Sequence, residues 1–201
     1  MKAPFVDFIK SSLGSQVLLI TCGLPASFKT TASEAVAKIK GYSILRSDLI
    51  RLEVLKHEDV FNVNLAANMN TRLLVYEELF RRANTLAKEK KGGIILDATF
   101  ITQELRRRAA EIANEHNLDL VILQTCCPQD LSLLIIQKRK KETYTSNALT
   151  PEAYFNNKEQ FEPIDVDDLK KHYPTLNLMY LSVETCCEEI DCWSIIDVQK
   201  R

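Results

Sequence analysis

No stretch of the 201 residues approaches the ~20 consecutive apolar residues that a membrane-crossing helix requires. The first fifteen residues hold only a short apolar run interrupted by Asp7, which is not the layout of a secretory leader. The cytoplasm is the expected compartment. Charge of neither sign is in excess: 26 Lys+Arg against 27 Asp+Glu leave −1, so no general pull draws the chain to a membrane or to nucleic acid. A basic groove with interleaved aromatics is also lacking, which leaves nucleic acid with weak support as a partner. The six cysteines include the adjacent pairs Cys126-Cys127 and Cys186-Cys187 and lack the two-residue spacing typical of zinc sites. Buried or passive free thiols are therefore expected. No shift in composition and no repeat divides the chain. Residues 1–201 are read as one domain, a length that suits a single α/β core.

A missing glycine carries more information. Val17-Leu18-Leu19-Ile20 reads as a buried strand, Gly23 opens a turn, and Thr30 to Lys40 reads as a helix. Strand, tight loop and helix with Lys29-Thr30 at the junction is the layout of a phosphate-binding P-loop, Gly-x-x-x-x-Gly-Lys-Ser/Thr. Phe28 stands where the second glycine belongs. The pattern assigns nucleotide contacts to Gly23, Pro25, Ala26, Ser27, Phe28, Lys29, Thr30 and Thr31. Backbone N–H groups face the phosphates, Lys29 supplies a cation to the β/γ-phosphates, and the Thr30 hydroxyl is a Mg²⁺ ligand. An L-residue held in the left-handed region costs ~1–2 kcal/mol. That is about tenfold in affinity if the loop keeps its shape, and a ring beside the phosphates would add occlusion. A plain strand-to-helix turn with a chance lysine is the bland reading of the same residues.

Later residues narrow the choice. Tyr42-Ser-Ile-Leu45 reads as a second strand, followed by Arg46-Ser47-Asp48 and Leu49-Ile50-Arg51. At the carboxyl edge of a parallel sheet, Asp48 can take the proton of an attacking hydroxyl. Arg51, one helical turn on, can orient that carboxylate or hold a phosphate. Asp48 as a helix N-cap is the competing reading. Ile94-Ile-Leu96-Asp97 is a buried strand ending in a carboxylate suited to Mg²⁺ or its water shell, or equally a capping group. Thr99 is a weaker substrate contact. Helix 130–141 ends in Lys138-Arg139-Lys140-Lys141, where Arg139 is the candidate for charge stabilisation in a transition state. Cations matched to a helix C-terminus explain the lysines.

The remaining pattern sets further expectations. Leu49 to Lys91 reads as mostly helical, with His57 on the surface. Gln103 to Asn117 reads as an amphipathic helix with Arg106, Arg107 and Arg108 mostly outward. Leu118 to Leu123 is a strand and Pro151 to Phe161 a helix. Residues 162–174 read as irregular, 178–181 as the last strand, and 188–198 as a closing helix. Five strands separated by helical patterns imply right-handed βαβ crossovers and a five-stranded parallel sheet with helices on both faces.

Gly23 to Thr31, Leu45-Arg-Ser-Asp-Leu-Ile-Arg51 and Ile95-Leu-Asp-Ala-Thr-Phe100 occur in the order seen in P-loop kinases of the AAA-like ATP-binding group. The chain resembles that family from about residue 16 to 185, with a looser match at Ser146-Asn-Ala148 and Phe161-Glu-Pro163. The group is similar to polynucleotide 5′-hydroxyl kinases, zeta toxins and chloramphenicol phosphotransferase. Two positions depart from the pattern: Phe28 for glycine, and Asn147 where an aspartate is usual. The resemblance implies a three-layer P-loop NTPase fold with strand order 2-3-1-4-5, and a lid over about 128–150. It also implies ATP and Mg²⁺ as cofactors, Lys29 and Thr30 as phosphate and metal ligands, Asp48 as base and Arg51 as a substrate-side contact. The expected function is transfer of the γ-phosphate of ATP to a hydroxyl of a small-molecule acceptor that the sequence does not name. A P-loop sensor or interaction module with catalysis impaired by Phe28 is the rival.

Overall fold

Val17–Cys22 (β2) and Ile94–Asp97 (β4) are buried at every position, which places them inside a sheet covered on both faces. The computed structural model describes residues 2–56, 69–89, 92–139 and 148–201. Expectations for His57, for Lys140, Lys141, Ser146 and Asn147, and for residues 140–147 of the lid, fall outside them. The described elements open with β1 (Ala3–Pro4) and α1 (Phe5–Ser12) ahead of β2. After β2 come α2 (Lys29–Lys40), β3 (Ser43–Arg46), α3 (Ser47–Val54) and α4 (Met69–Glu89). Following β4 are α5 (Gln103–Glu115), β5 (Asp119–Cys126), α6 (Gln129–Lys138), α7 (Pro151–Gln160) and α8 (Val166–His172). The chain closes with β6 (Leu178–Glu184), a 3₁₀ turn (Ile190–Cys192) and β7 (Ser194–Lys200).

The sheet has seven strands in the order β1-β7-β6-β5-β2-β4-β3. The expectation of a five-stranded, wholly parallel sheet is thus corrected: β3, β4, β2, β5 and β6 run parallel as neighbours, and β7 and β1 extend the sheet antiparallel. In place of the helix expected at 188–198 stand the 3₁₀ turn Ile190–Cys192 and, from Ser194, strand β7. Its β-branched run Ile195-Ile196 and Val198 satisfies its backbone against β6, an outcome decided by the open sheet edge rather than by local spacing. Within residues 162–174, expected to be irregular, Val166–His172 form α8: Asp165 caps it, its side chain accepting the Asp168 N–H at 2.8 Å.

Alternation along the strands sorts the core into two layers. Leu18, Ile20, Leu96, Leu120 and Ile122 pack against α4, α5 and α8. Val17, Leu19, Ile95, Val121 and Leu181 pack on the opposite face against α1, α2 and Trp193. Arg106 overturns the expectation of an outward arginine run, being fully buried. Its guanidinium donates to the carbonyls of Phe100 (3.0 Å), Ile101 (3.2 Å), Glu162 (2.8 Å) and Pro163 (2.9 Å), stitching the loop after β4 to the segment after α7. Arg107 and Arg108 do reach outward, to Asp168 and Glu77. Among the described residues no helix is long and apolar enough to cross a membrane.

Candidate active site

The loop between β2 and α2 folds as its glycine and its lysine demand. Gly23 sits at φ 144°, and a Cβ there would meet Thr125 Oγ1 at 2.7 Å and Ser27 Oγ at 2.8 Å, so only glycine fits. Ser27 and Thr125 share a buried 2.7 Å hydroxyl contact that backs the loop from the β5 side. Ala26 and Phe28 both adopt positive φ, 59° and 63°. Phe28 therefore takes the left-handed conformation that a glycine would adopt there. Its ring packs on Trp193 with centroids 5.7 Å apart, joining the core layer of α1 and α2. That contact offsets backbone strain with aromatic burial, a compensation the sequence alone did not reveal.

Helix α2 starts at Lys29 with no acidic residue in its first turn and no side-chain cap. Its exposed N–H groups and the positive end of its dipole are left for an anion. Lys29 Nζ donates to Leu24 O at 2.7 Å. Burial pulls the Lys29 ammonium down to about 8, with Asp97 opposing the shift and Arg139 adding to it. Thr30 Oγ1 donates to Asp97 Oδ2 at 2.7 Å, and Thr21 Oγ1 lies 3.2 Å from Asp97 Oδ1. Parallel pairing of β2 with β4 sets Thr21 and Asp97 side by side at the carboxyl ends of their strands. The Asp97 carboxyl is raised above its ordinary value by burial, while the Thr30 hydrogen bond and Lys29 pull the other way. A buried carboxylate and a hydroxyl in contact form a hard oxygen donor set, which fits Mg²⁺ in kind.

Asp48 lies in the first turn of α3, whose cap position is Arg46, so the N-cap reading is replaced. Arg46 forks onto the carboxylate, Nε to Oδ1 at 3.2 Å and Nη2 to Oδ2 at 2.9 Å, and the Leu49 N–H donates to Oδ1 at 2.9 Å. Arg46, which the sequence reading left without a role, thus grips Asp48, and Arg51 lies near enough for Asp48 to raise its proton affinity. The signal for Arg46 was there: an arginine at a strand end two residues before the acid. Arg139 follows α6, and its Nη1 donates to Ala148 O at 3.0 Å.

One cavity of about 570 Å³ gathers these groups. Pro25 to Thr31, Asp48, Arg51, Asp97, Thr99 and Arg139 all line it. Gly23 does not; it borders a second cavity of about 280 Å³ beside Cys126 and Cys127. Sequence reasoning missed Arg72, Tyr76 and Asn157, which complete the wall from α4 and α7. Among the described residues the cysteines are free thiols, and no cluster of three or more Cys, His, Asp or Glu side chains is placed to hold a metal.

A strand–loop–helix phosphate cradle at the carboxyl edge of a mixed α/β sheet, with a lysine and a threonine facing a strand-end aspartate, defines a P-loop NTPase-like protein. Residues 18–164 match the family described as an AAA domain, and the chain belongs to that family. Solved structures of similar fold include proteins described as kinases, in line with the motif resemblance. One is a Chloroflexus aurantiacus J-10-fl protein described only provisionally as a kinase (TM-score 0.62, 17% identity, 86% of this chain and 90% of that one). A second is a gluconokinase from Sinorhizobium meliloti 1021 (0.57, 14%, 89% and 87%). A third is Chaetomium thermophilum Kti12 in complex with ADP-AlF3 (0.53, 16%, 73% and 80%). Identities this low speak to the fold. No curated protein sequence matches the chain.

Proposed function

We propose that the protein is an ATP- and Mg²⁺-dependent phosphotransferase acting on a hydroxyl of a small acceptor. The observation that carries this reading is the Thr30–Asp97 contact of 2.7 Å beside Lys29, opening on the same cavity as the forked Asp48 carboxylate. The loop amides and Lys29 hold the β- and γ-phosphates, and Thr30 with Asp97 would hold the metal. Bound Mg²⁺ supplies charge neutralisation at the phosphate oxygens. Asp48, aimed by Arg46, accepts the proton as the acceptor oxygen bonds to the γ-phosphorus. The bond from that phosphorus to the bridging oxygen breaks and ADP leaves. Arg139, close enough to Lys29 to affect its proton affinity, adds positive charge where the transferring group becomes most anionic. Residues around 128–150 serve as the lid in this reading, within one domain.

The rival, a binding module disabled by Phe28, rested on backbone strain at a glycine position and, in addition, on occlusion by a ring beside the phosphates; the strain is present at φ 63°. The Phe28 ring packs on Trp193, which weakens the occlusion argument and so favours the enzyme. Lys29→Ala decides whether the loop is a nucleotide site at all. Loss of a charge-assisted contact worth ~1.5–3 kcal/mol should weaken ATP binding by roughly 10- to 150-fold, with an unchanged far-ultraviolet spectrum. Equal affinities by calorimetric titration would remove the nucleotide reading.

A further inference from the structure

Of the six cysteines only Cys22 is buried; Cys187 is half-buried, and Cys186 and Cys192 are exposed. Cys186 and Cys187 precede the 3₁₀ turn in the connection from β6 to β7, and Cys192 ends it. The Glu189 carbonyl oxygen accepts both the Cys187 Sγ–H and the Cys192 N–H, each at 3.1 Å, so the turn folds the two residues toward one another. The Cys192 thiol is near enough to hold the Cys187 thiol above its ordinary pKa, ahead of the effect of burial. Among the described residues no group of three or more ligating side chains is placed to hold a metal, so the chemistry open to this pair is that of a dithiol. The ends of the same connection touch the phosphate loop at two successive residues. Thr185 Oγ1 donates to Ser27 O at 3.3 Å, and the Trp193 indole packs on the Phe28 ring. Trp193 is held in turn by the segment between: its Nε1–H donates to Cys187 O at 2.9 Å and its backbone N–H to Ile190 O at 3.0 Å. Glu188, next to Cys187, lines the large cavity.

We propose that Cys187 and Cys192 are a reversible redox modification site, which a hydroperoxide closes to a disulfide and which thereby loosens the support of the phosphate loop. Exposed Cys192 meets the oxidant first. Its thiolate attacks one peroxide oxygen and the O–O bond breaks; a sulfenic acid forms, and the departing hydroxide takes up the thiol's proton as water. Cys187 then attacks that sulfur. The S–S bond forms, the S–O bond breaks, and a second water leaves with the Cys187 proton. The thiols give up two electrons and two protons, and the peroxide accepts them. A dithiol reductant reverses the step by exchange. Closing the bond draws the Cys187 sulfur off the Glu189 carbonyl and shifts the Cys187 carbonyl that holds the indole. Phe28 keeps its left-handed angle with its ring propped on Trp193. Without the prop the loop relaxes and its amides turn away from the phosphates. This second effect rests on the loop being a nucleotide site; the disulfide does not.

The test treats the reduced full chain with hydrogen peroxide and blocks the remaining thiols with iodoacetamide. Cleavage after Glu188 and Glu189 parts Cys187 from Cys192, so a bond between them shows in the mass spectrum as two joined peptides. That crosslink should form, be undone by dithiothreitol, persist in Cys186→Ser and vanish in both Cys187→Ser and Cys192→Ser. In Cys187→Ser, dimedone should trap the sulfenic acid on Cys192. ATP affinity, by calorimetric titration, should fall about three- to tenfold on oxidation, the scale of a left-handed residue's strain. It should recover with dithiothreitol and stay level in peroxide-treated Cys192→Ser. No crosslink, one that survives Cys192→Ser, or one that joins Cys186 to another cysteine or joins two chains would overturn the proposal. A Cys187–Cys192 crosslink with unchanged ATP affinity overturns the link to the loop and leaves the phosphotransfer reading untouched. Failure of the reduced protein to bind ATP removes the nucleotide reading instead. Tryptic cleavage at Lys29, expected to be faster in the oxidised chain, then decides the link to the loop.

Discussion

The two ends of the cavity are built in different ways. The phosphate end is nearly one uninterrupted segment, Pro25 to Thr31, whose working groups are largely backbone amides fixed by Gly23 and by the start of α2. The opposite end takes Asp48 and Arg51 from α3, Arg72 and Tyr76 from α4, Thr99 from the loop after β4 and Asn157 from α7. A backbone site tolerates an unusual side chain so long as the angles are kept, which is how Phe28 occupies a glycine position at φ 63°. A side-chain site has no such latitude. Each member is replaceable one at a time, and the set decides what is bound. In the proposed reading the first end sets the chemistry and the second selects the acceptor, so related chains sharing the loop can diverge in acceptor without refolding.

Three measurements press on that division. The largest effect is expected at Asp48. Asp48→Asn removes the proton acceptor and leaves the loop untouched, so phosphoryl transfer should drop by ~10²–10⁴ while ATP affinity stays level or tightens slightly. Single-turnover kinetics beside calorimetry separates the two, and a matching loss of affinity would merge the two ends into one site.

The next effect belongs to Lys29. Its ammonium is charged below pH about 8 and neutral above it, whereas an unburied lysine stays charged for some two units more. Phosphates bind the charged form. ATP affinity should therefore fall as pH rises through 8, by up to about tenfold per unit until the nucleotide-bound lysine also loses its proton. Lys29→Arg should flatten the slope, since arginine keeps its charge. An affinity constant from pH 7 to 10 in the wild type would show that Lys29 is not the phosphate cation.

The smallest effect is expected at Phe28. The loop already holds this residue at φ 63° with its ring on Trp193, so the strain belongs to the fold rather than to nucleotide binding. Phe28→Gly relieves ~1–2 kcal/mol of backbone strain but forfeits the aromatic pair, ~0.5–1.5 kcal/mol, along with buried apolar area worth ~1.5 kcal/mol or more. A net loss of about 1 kcal/mol lowers Tm by ~2–4 °C, and ATP affinity should shift less than threefold. A tenfold tightening without a change in Tm would return the strain to the binding step.

How much was legible follows the same division. The P-loop, Asp48 in the first turn of α3 and the strand-end Asp97 are read from short contiguous spacings, because strand, turn and helix each leave a local signature. Arg72 and Asn157 carry no such signature. They matter because α4 and α7 meet around one cavity, a fact of packing that no window of sequence contains. Arg106 misled for a related reason. Within Arg106-Arg107-Arg108 nothing marks which arginine turns inward; the choice falls to the carbonyls of residues 100, 101, 162 and 163, which need a donor. Strand β7 was missed because a strand at the end of a chain is defined by the neighbour it pairs with.

Trp193 is the one tryptophan in the chain. Its indole is buried, flanked by Phe5 at 5.6 Å and Phe28 at 5.7 Å, and its Nε1–H donates to Cys187 O at 2.9 Å. The phosphate loop thus has a single native fluorophore resting against its most unusual residue. Ultraviolet emission from that indole, free of any background from a second one, is an optical gauge of the loop's posture. It needs no label, and it registers the moment the ring of Phe28 moves.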